Sequence, residues 1–311
     1  MGFAKPVMYY HHAGLTDTGL LRSHNEDAFK LPLDLSVDTL AQKGYFYVLA
    51  DGMGGHQKGE VASAVTIETA YAEYYASVGS PDRENPEKTI IEAMVSAIEQ
   101  ANLQVMEATE GGGTTIVAAT LYDDHLVIMN IGDSRAYLLR DGELRLVSRD
   151  HSLVSRLLEL GKITDNEAAN HPRQNVLYQA LGQGSDLEVH VYTDKMQLGD
   201  TIILCSDGLW GPLGDEAIKE VLGPTVLPRV AVERLVEMAN AAGGPDNITT
   251  IIIKVCDQEP TAEECISAGP GITEVAPDAD DTHPTLEIRI KPDTLPEGKF
   301  YVVRNQPEAE L

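Results

Sequence analysis

Four short acidic motifs, spread over more than two hundred residues, carry the side chains that could bind metal ions. They are Asn25-Glu26-Asp27, Asp51-Gly52, Ser206-Asp207-Gly208 and Pro245-Asp246-Asn247. Each aspartate lies beside a glycine, an asparagine or another acid, which predicts a strand end or a tight turn. Carboxylates gathered in one cleft repel each other unless a cation neutralises them, and hard oxygen ligands favour Mg²⁺ or Mn²⁺. Two such ions side by side are typical of hydrolytic sites for phosphate esters.

Three of these aspartates are expected to lie at the ends of apolar strands. Asp51-Gly52 follows an apolar run, and a glycine there lets a backbone oxygen approach an ion closely. We interpret Asp51 as a bridging metal ligand, with a plain turn as the alternative. Asp207 follows one apolar run and Asp246 precedes another. Because the start of one antiparallel strand neighbours the end of the next, Asp207 and Asp246 are expected to share an edge.

Arg22 is the candidate for binding a phosphate group. It stands five residues before Asp27, and a guanidinium offers a rigid fork that binds phosphate oxygens in a bidentate manner. The alternative is a salt bridge from Arg22 to Glu26 or Asp27. Spacing alone does not decide between these two roles.

Other motifs add weaker candidates and exclude several chemistries. Asp133, within Gly132-Asp133-Ser134-Arg135, is a further acid at the end of an apolar run. His56 and His151 are possible proton donors for the leaving group, although a structural role is favoured for each. Gly111-Gly112-Gly113 lacks the lysine of a P-loop, and the chain has no HExxH zinc helix and no GxSxG elbow. Without an activated side-chain nucleophile, a metal-bound hydroxide is the most economical attacking group.

Composition places the chain among acidic globular proteins. Its 311 residues allow one large domain or two ordinary ones, and 43% are hydrophobic. The formal charge of −26 argues against nucleic acid as a partner. Three cysteines without CxxC spacing favour free thiols in a reducing compartment. Because no signal-peptide pattern and no membrane-spanning apolar stretch is found, we expect a cytoplasmic protein.

The elements that must position the acids alternate between strands and helices. The predicted strands are 45–50, 115–122, 125–131, 136–140, 144–147, 201–205 and 249–255. Asp123-Asp124 and Asp141-Gly142 are too short for crossover helices, so the strands that they join must be antiparallel. Periodicity predicts helices over 60–75, 87–107, 152–160 and 226–241. Long helices between antiparallel strands predict layers, with helices covering the outer sheet faces.

Two irregular segments flank this core. Residues 152–184 combine a short helix with Gly, Asn and Pro punctuation, and we interpret them as a flap near the site. Residues 258–311 differ in composition from residues 1–257 and are predicted to form an acidic linker and a short C-terminal extension. Within that extension, 286–290 and 300–303 could form one hairpin.

In order along the chain, the motifs resemble those of metal-dependent protein phosphatases of the 2C type, in particular the bacterial members. The resemblance covers about His12 to Val255, and its motifs are Arg22 with Asn25-Glu26-Asp27, Asp51-Gly52-Met53-Gly54-Gly55-His56, Gly113-Thr114-Thr115, Asn130-Ile131-Gly132-Asp133-Ser134-Arg135, Asp150-His151-Ser152, Cys205-Ser206-Asp207-Gly208-Leu209 and Asp246-Asn247-Ile248-Thr249. It implies an α+β fold, a four-layer α-β-β-α sandwich in which helices flank two central antiparallel sheets. It also implies hydrolysis of phosphoserine and phosphothreonine on proteins, opposing a Ser/Thr kinase.

The resemblance further implies roles for individual residues. Asp51 would bridge two Mn²⁺ or Mg²⁺ ions, with the Gly52 carbonyl on one of them, and a bridging hydroxide would attack phosphorus. The remaining roles are as follows: Asp207 and Asp246 hold the other ion, Asp27 joins directly or through water, Asp133 helps to hold a third ion, Arg22 grips the phosphate, and Glu26 and Asn247 support the site. Animal members carry a histidine where Met53 stands, so the proton donor is open, with His56 or a metal-bound water as candidates.

Two alternatives to an active monomeric phosphatase of this kind are weighed. One is a phosphoprotein-binding scaffold that has kept the fold and lost catalysis, but the intact acid set argues against it. The other is a sporulation-type phosphatase that antagonises an anti-sigma factor. Such proteins usually carry sensor or membrane segments, which this sequence lacks.

Overall fold

The structure of the chain is a computed structural model that describes residues 7–54, 57–81, 85–164, 167–168, 171–223, 226–259, 266–268, 291–292 and 299–304. Its strands are β1 (Tyr9–Asp17), β2 (Asp27–Lys30), β3 (Tyr45–Met53), β4 (Gly113–Thr114), β5 (Ile116–Tyr122), β6 (His125–Ile131), β7 (Arg135–Arg140), β8 (Glu143–Leu146), β9 (Glu188–Lys195), β10 (Thr201–Cys205), β11 (Ile248–Cys256), β12 (Ile266–Ala268), β13 (Lys291–Pro292) and β14 (Lys299–Arg304). Its helices are α1 (Val37–Lys43), α2 (Gln57–Ser77), α3 (Pro86–Thr109), α4 (Leu153–Glu159), α5 (Asp207–Val221) and α6 (Pro228–Ala241).

Two sheets form the centre of the molecule. The first has the strand order β12-β1-β11-β10-β7-β8, and the second has the order β13-β14-β9-β6-β5-β3-β2, with β4 beside β3. Neighbouring strands pair antiparallel, apart from the parallel pair β1 and β12. The expected antiparallel pairing across Asp123-Asp124 and Asp141-Gly142 is therefore confirmed. Asp141 and Gly142 both have positive φ, at 51° and 77°, as a tight hairpin turn requires.

Alternation along β3 shows how the layers stack. Phe46, Val48 and Ala50 lie in a core cluster with the apolar residues of α2 and α3. Tyr47 and Leu49 point to the other face, into a cluster shared with the first sheet. On the far side of that sheet, residues of β10 pack against α5 and α6. The four-layer α-β-β-α sandwich is thus confirmed, because each sheet buries one face on the other sheet and one on helices.

Helix α3 confirms the predicted apolar stripe. Its inward residues, spaced three and four apart, are almost completely buried: Ile90, Ile91, Met94, Ala97, Ile98 and Ala101. Helix α2 contributes Tyr74, whose ring stacks on Phe46 with centroids 4.4 Å apart. The two helices together cover the outer face of the second sheet.

Several elements were not predicted from the sequence. Asp207 follows strand β10, as expected, but it also begins helix α5, which was not predicted. The helix contains Pro212 and breaks at Gly214, where φ is 68°, so its sequence lacks an uninterrupted helical pattern. Strand β1 was also missed, because its pairing with β11 depends on residues more than two hundred positions away.

The C-terminal segments add strands to the edges of both sheets. Strand β12 pairs with β1, and β14 pairs with β9 along six residues from Lys299 to Arg304. The second arm of the expected hairpin falls in β14, which also pairs with β13. The first arm, residues 286–290, lies outside the described residues. Among the helices that the structure describes, none is long and apolar enough to cross a membrane.

The edge pairing of β14 predicts a local effect of truncation. In a chain ending at residue 257, the β9 amides that pair with β14 should exchange with solvent about tenfold faster or more, because they lose their hydrogen-bond partners. Hydrogen exchange resolved by residue checks this. The β9 amides that pair with β6 serve as an internal control and should stay protected. Equal protection of both sets in the truncated chain would contradict the pairing.

Candidate metal centre

One cleft of about 490 Å³ lies at the edge where strands of both sheets end. Its lining includes five acidic residues, Glu26, Asp51, Asp133, Asp207 and Asp246, together with Arg22. The structure therefore brings together acids that are far apart in the sequence. Asp27 lies beneath this lining and is buried.

The pairing of β2 with β3 places two of the acids side by side. Asp27 stands opposite Asp51 in the antiparallel register, so their side chains emerge on the same face. The backbone of Asp51 is fixed by β4 and the residue after it. Its N–H donates to Thr115 Oγ1 at 3.0 Å, and its carbonyl accepts from Thr114 Oγ1 at 2.8 Å.

The first sheet contributes Asp207 and Asp246 at the same edge. Strands β10 and β11 are antiparallel neighbours, so the residue after one strand lies next to the turn before the other, as expected. A side-chain carbon on Gly208 would overlap the carbonyl oxygen of Asn247, which shows how closely α5 begins against that turn. At the second sheet, a side-chain carbon on Gly52 would likewise overlap the carbonyl oxygen of Gly59.

Asp27 is held by two hydroxyl groups from the first sheet. Its Oδ2 accepts from Ser206 Oγ at 2.8 Å and from Thr249 Oγ1 at 2.6 Å. Its Oδ1 is buried without a hydrogen-bond partner, and so is Oδ1 of Asp207. Buried carboxylate oxygens without partners are rare, because each carries a desolvation cost that a partner normally offsets.

Asn247 connects the turn before β11 with the loop that carries Arg22 and Glu26. Its side-chain oxygen accepts from the backbone N–H of Glu26 at 2.8 Å. Its amide nitrogen donates to the carbonyls of Thr18 and His24, each at 2.9 Å. The carbonyl of Glu26 in turn accepts from Gly52 N–H at 3.0 Å. Glu26 and Asn247 thus contact the backbone that shapes the site.

Arg22 stands at the mouth of the cleft, with half of its side chain exposed. Its Nη2 donates to Asp246 Oδ2 at 2.6 Å, and the side chain is 51% exposed. The structure therefore pairs Arg22 with Asp246, and not with Glu26 or Asp27 as the salt-bridge alternative supposed. The pairing joins residues 224 positions apart, so local spacing could not identify it.

Asp133 is placed by a network that the sequence did not assign. Trp210 Nε1 donates to the Asp133 carbonyl at 3.1 Å, and the Arg135 guanidinium lies 3.5 Å from the centre of the Trp210 ring. Arg135 also forms a salt bridge to Asp150 at 2.8 Å. In the sequence, only the two motifs that contain Arg135 and Asp150 could have indicated this network.

Of the two candidate histidines, only His151 is among the described residues, and it does not line the cleft. His151 is buried, and its Nδ1 accepts from Gly132 N–H at 3.1 Å. Burial lowers the pKa of His151 to about 4, so it stays neutral and fixes the turn before Asp133. This agrees with the structural role that was favoured for it. His56 lies outside the described residues, and its role as proton donor stays a prediction.

The acidic side chains of the cleft strongly raise one another's pKa values. Burial raises the pKa of Asp27 and of Asp133 to about 7 and that of Asp207 to about 6, with neighbouring aspartates adding to each rise. Burial and four neighbouring aspartates also raise the pKa of Asp51 well above its usual range. Such mutual repulsion is expected where a cation normally supplies the missing positive charge.

The residues fit divalent metal ions by chemistry. All of the donors are hard carboxylate oxygens, the ligand type that Mg²⁺ and Mn²⁺ prefer, and two buried oxygens lack partners. In the residues that the structure describes, no three His, Cys, Asp or Glu side chains are grouped closely enough to form a finished site.

Comparison with known proteins shows the family of this chain. A family model described as "Protein phosphatase 2C" matches residues 22–242. The chain belongs to the protein phosphatase 2C family. It is 33% identical over 317 residues to the serine/threonine protein phosphatase PstP of Mycobacterium tuberculosis, a match that covers 99% of this chain and 56% of PstP. The chain thus spans little more than half the length of that relative.

One further relative and one solved structure of a PstP catalytic domain match this chain over most of their own length. The serine/threonine phosphatase Stp of Listeria innocua is 36% identical over 243 residues, covering 77% of this chain and 93% of Stp. A crystal structure of the PstP catalytic domain in complex with two manganese ions is 33% identical, with a TM-score of 0.66. That match covers 80% of this chain and all of the PstP domain.

The raised pKa values predict a pH-dependent instability of the metal-free protein. The folded-state pKa values of Asp27 and Asp133, about 7, exceed the ordinary value of 3.8. Their stability contribution is therefore complete below about pH 4 and is lost as pH rises through about 7. In chelator, Asp51→Asn should raise the free energy of unfolding by on the order of 1 kcal/mol at about pH 8 and by less at about pH 5. Denaturant melts at both pH values measure this.

Two comparisons make this prediction specific. Asp141→Asn, in the exposed β7–β8 turn, should shift neither melt. His12 and His151, whose pKa values are lowered to about 4, act in the opposite direction on acidification, so the difference between variant and wild type is the quantity to compare. A destabilised Asp51→Asn protein in chelator would contradict the predicted repulsion.

Proposed function

We propose that this chain is a metal-dependent phosphatase that hydrolyses phosphoserine and phosphothreonine in proteins. The observation that carries the proposal is the convergence of carboxylates from both sheets on one cleft, with two buried oxygens unpartnered. The names of the relatives, serine/threonine phosphatases, support the reaction. The two manganese ions in the PstP catalytic domain support the metal dependence.

Two ions, Mn²⁺ or Mg²⁺, would be held at the edge where the sheets meet. Asp51 would lie between them, because it stands next to Asp27 on one side and is electrostatically coupled to Asp207 on the other. The Gly52 carbonyl would be a ligand of one ion. Asp207 and Asp246 would hold the other, as their placement on neighbouring strand ends supports.

Asp27 and Asp133 would complete the ligand set in different ways. Asp27 keeps Oδ1 free of hydrogen bonds while hydroxyls hold Oδ2, which suits direct or water-mediated contact with an ion. Asp133 lines the cleft on a turn fixed by Trp210 and His151, and it would help to hold a third ion. Its coupling to Asp207 supports that position.

Arg22 would bind the phosphate group of the substrate. Its guanidinium lies at the cleft mouth, already within reach of a carboxylate, and phosphate oxygens match the same fork geometry. The bound ions would supply an activated hydroxide and neutralise the phosphate charge. The protein would orient the phosphate in line for attack through Arg22 and the fixed carboxylates. We leave the proton donor unassigned, with His56 as the remaining candidate side chain.

The biological setting follows from the same proposal. Such an enzyme would act on phosphorylated proteins and oppose a Ser/Thr kinase, which would itself be among the substrates. Cys205 is a buried free thiol, which supports a reducing compartment such as the cytoplasm. A monomeric state and the absence of nucleic-acid partners stay predictions. A binding-only scaffold is less favoured, because Asp27, Asp51, Asp207 and Asp246 are all in place.

Metal-dependent turnover is the direct test. The protein should hydrolyse a phosphothreonine peptide in Mn²⁺ and lose this activity on chelation. Asp51→Asn should lower the rate by roughly a hundredfold or more, because the ligand expected to lie between the two ions is lost. Asp141→Asn is the matched control and should keep wild-type activity. A wild type that stays inert in saturating Mn²⁺ would favour the scaffold role instead.

A variant of Asp133 tests the role of the third ion separately from that of the other two. Asp133→Ala should retain binding of two ions in calorimetric titration with Mn²⁺ while turnover falls, because the remaining carboxylates are untouched. A rate reduction of about tenfold to a hundredfold is expected from loss of one supporting charge. Unchanged turnover would argue against a third ion in catalysis.

A further inference from the structure

Two adjacent leucines beside Arg22 are exposed to an unusual degree. Leu20 is 66% exposed and Leu21 is 75% exposed, in a chain that otherwise carries a strong negative charge. Single exposed leucines are common on protein surfaces, but two adjacent ones directly before Arg22, which lines the cleft, indicate a contact surface. Because the leucines lie next to the candidate phosphate-binding arginine, we expect the polypeptide chain of the substrate to contact them.

The turn that presents the leucines is firmly anchored. The N–H groups of Leu20 and Leu21 both donate to the carbonyl of Gly244, at 2.9 and 3.2 Å. Gly19 has a φ of 75° and donates its N–H to Asp17 Oδ1 at 2.8 Å. The backbone is thus held at three points, so the exposure of the leucines belongs to an ordered turn.

A second segment adds apolar surface to the same cleft. Leu177 lines the cleft, and its neighbours Val176 and Tyr178 are 46% and 43% exposed. The backbone here is also fixed, since Leu153 N–H donates to the Val176 carbonyl and Tyr178 N–H donates to the His151 carbonyl. Exposed apolar residues therefore adjoin the cleft-lining residues Arg22 and Leu177 on two separate segments.

We propose that Leu20 and Leu21 form a docking surface for the substrate chain, which selects phosphopeptides with an apolar side chain within about two residues of the phosphorylated one. Adjacency in the chain supports this range, because Leu21 directly precedes Arg22, the proposed phosphate-binding residue, and extended residues of a substrate advance about 3.3–3.6 Å each. Acidic flanking residues would be disfavoured by the carboxylates around the cleft. The docking surface presupposes the phosphatase activity proposed above.

The experiment compares two phosphothreonine peptides that differ only in carrying Leu or Ser at the two positions on each side of the phosphothreonine. Wild type should prefer the leucine peptide by about tenfold in kcat/KM, as partial burial of one leucine predicts. In Leu21→Ser, and more completely in the Leu20→Ser, Leu21→Ser double variant, this ratio should fall towards one. Because the ratio is taken within each variant, a general change in rate cancels.

Two further variants serve as controls. Leu21→Met preserves an apolar side chain and should retain the preference. Leu198→Ser removes a leucine that is 45% exposed beyond the opposite end of β10, and it should also retain the preference. A ratio unchanged in Leu21→Ser, or no preference in wild type, would overturn the docking surface.

Hydrolysis of p-nitrophenyl phosphate, which has no flanking residues, distinguishes a failure of the docking surface from a failure of the proposed function. A wild type that hydrolyses it without discriminating between the peptides would refute the docking surface alone. A wild type inert on all three substrates in Mn²⁺ would refute the proposed function, and the docking surface with it. If Leu21→Ser instead alters sedimentation but not the peptide ratio, the leucines contact a second copy of the chain and the proposal is wrong.

Discussion

Mutual repulsion among buried carboxylates is the constraint on which the rest of the structure depends. Asp27, Asp51, Asp133 and Asp207 all have raised pKa values, because burial removes water and because each faces other acids. A fold that carries such a cluster must fix the backbone at every contributing strand end. The two sheets do so by ending at one edge, where β2 and β3 meet the turns that follow β10 and precede β11.

Neutral groups, and not basic side chains, hold the buried carboxylate of Asp27. Ser206 and Thr249 donate to one oxygen of Asp27 and leave the other without a partner. Hydroxyl donors satisfy hydrogen-bonding capacity without cancelling charge, so the carboxylate keeps its attraction for a cation. They also tie the second sheet to the first, because both donors belong to the β10–β11 side. Positioning of the site and cohesion of the sandwich thus share the same hydrogen bonds.

The sequence predicted an element correctly where the local residue pattern of that element matched its place in the assembled fold. Strands β5 to β8 were predicted because their apolar runs are joined by Asp-Asp and Asp-Gly turns, and α3 was predicted because its apolar stripe has helical spacing. Helix α5 was missed, since Gly211, Pro212 and Gly214 interrupt its pattern. The acids of the site were identifiable as a set. The partner of Arg22 was not, because Asp246 meets it only after the sheets have assembled.

Chemistry and recognition are placed on different kinds of element in this molecule. The carboxylates lie at the ends of sheet strands, where a shift of register would move them all, so they tolerate little change. Arg22 and the exposed leucines lie on a turn that contacts the sheet edge through backbone groups and through Asn247. Side chains on such a turn can change without disturbing the strands beneath. A docking preference set by Leu20 and Leu21 could therefore vary among related chains while the metal centre stays constant, since the hydrogen bonds that hold the turn do not involve the leucine side chains.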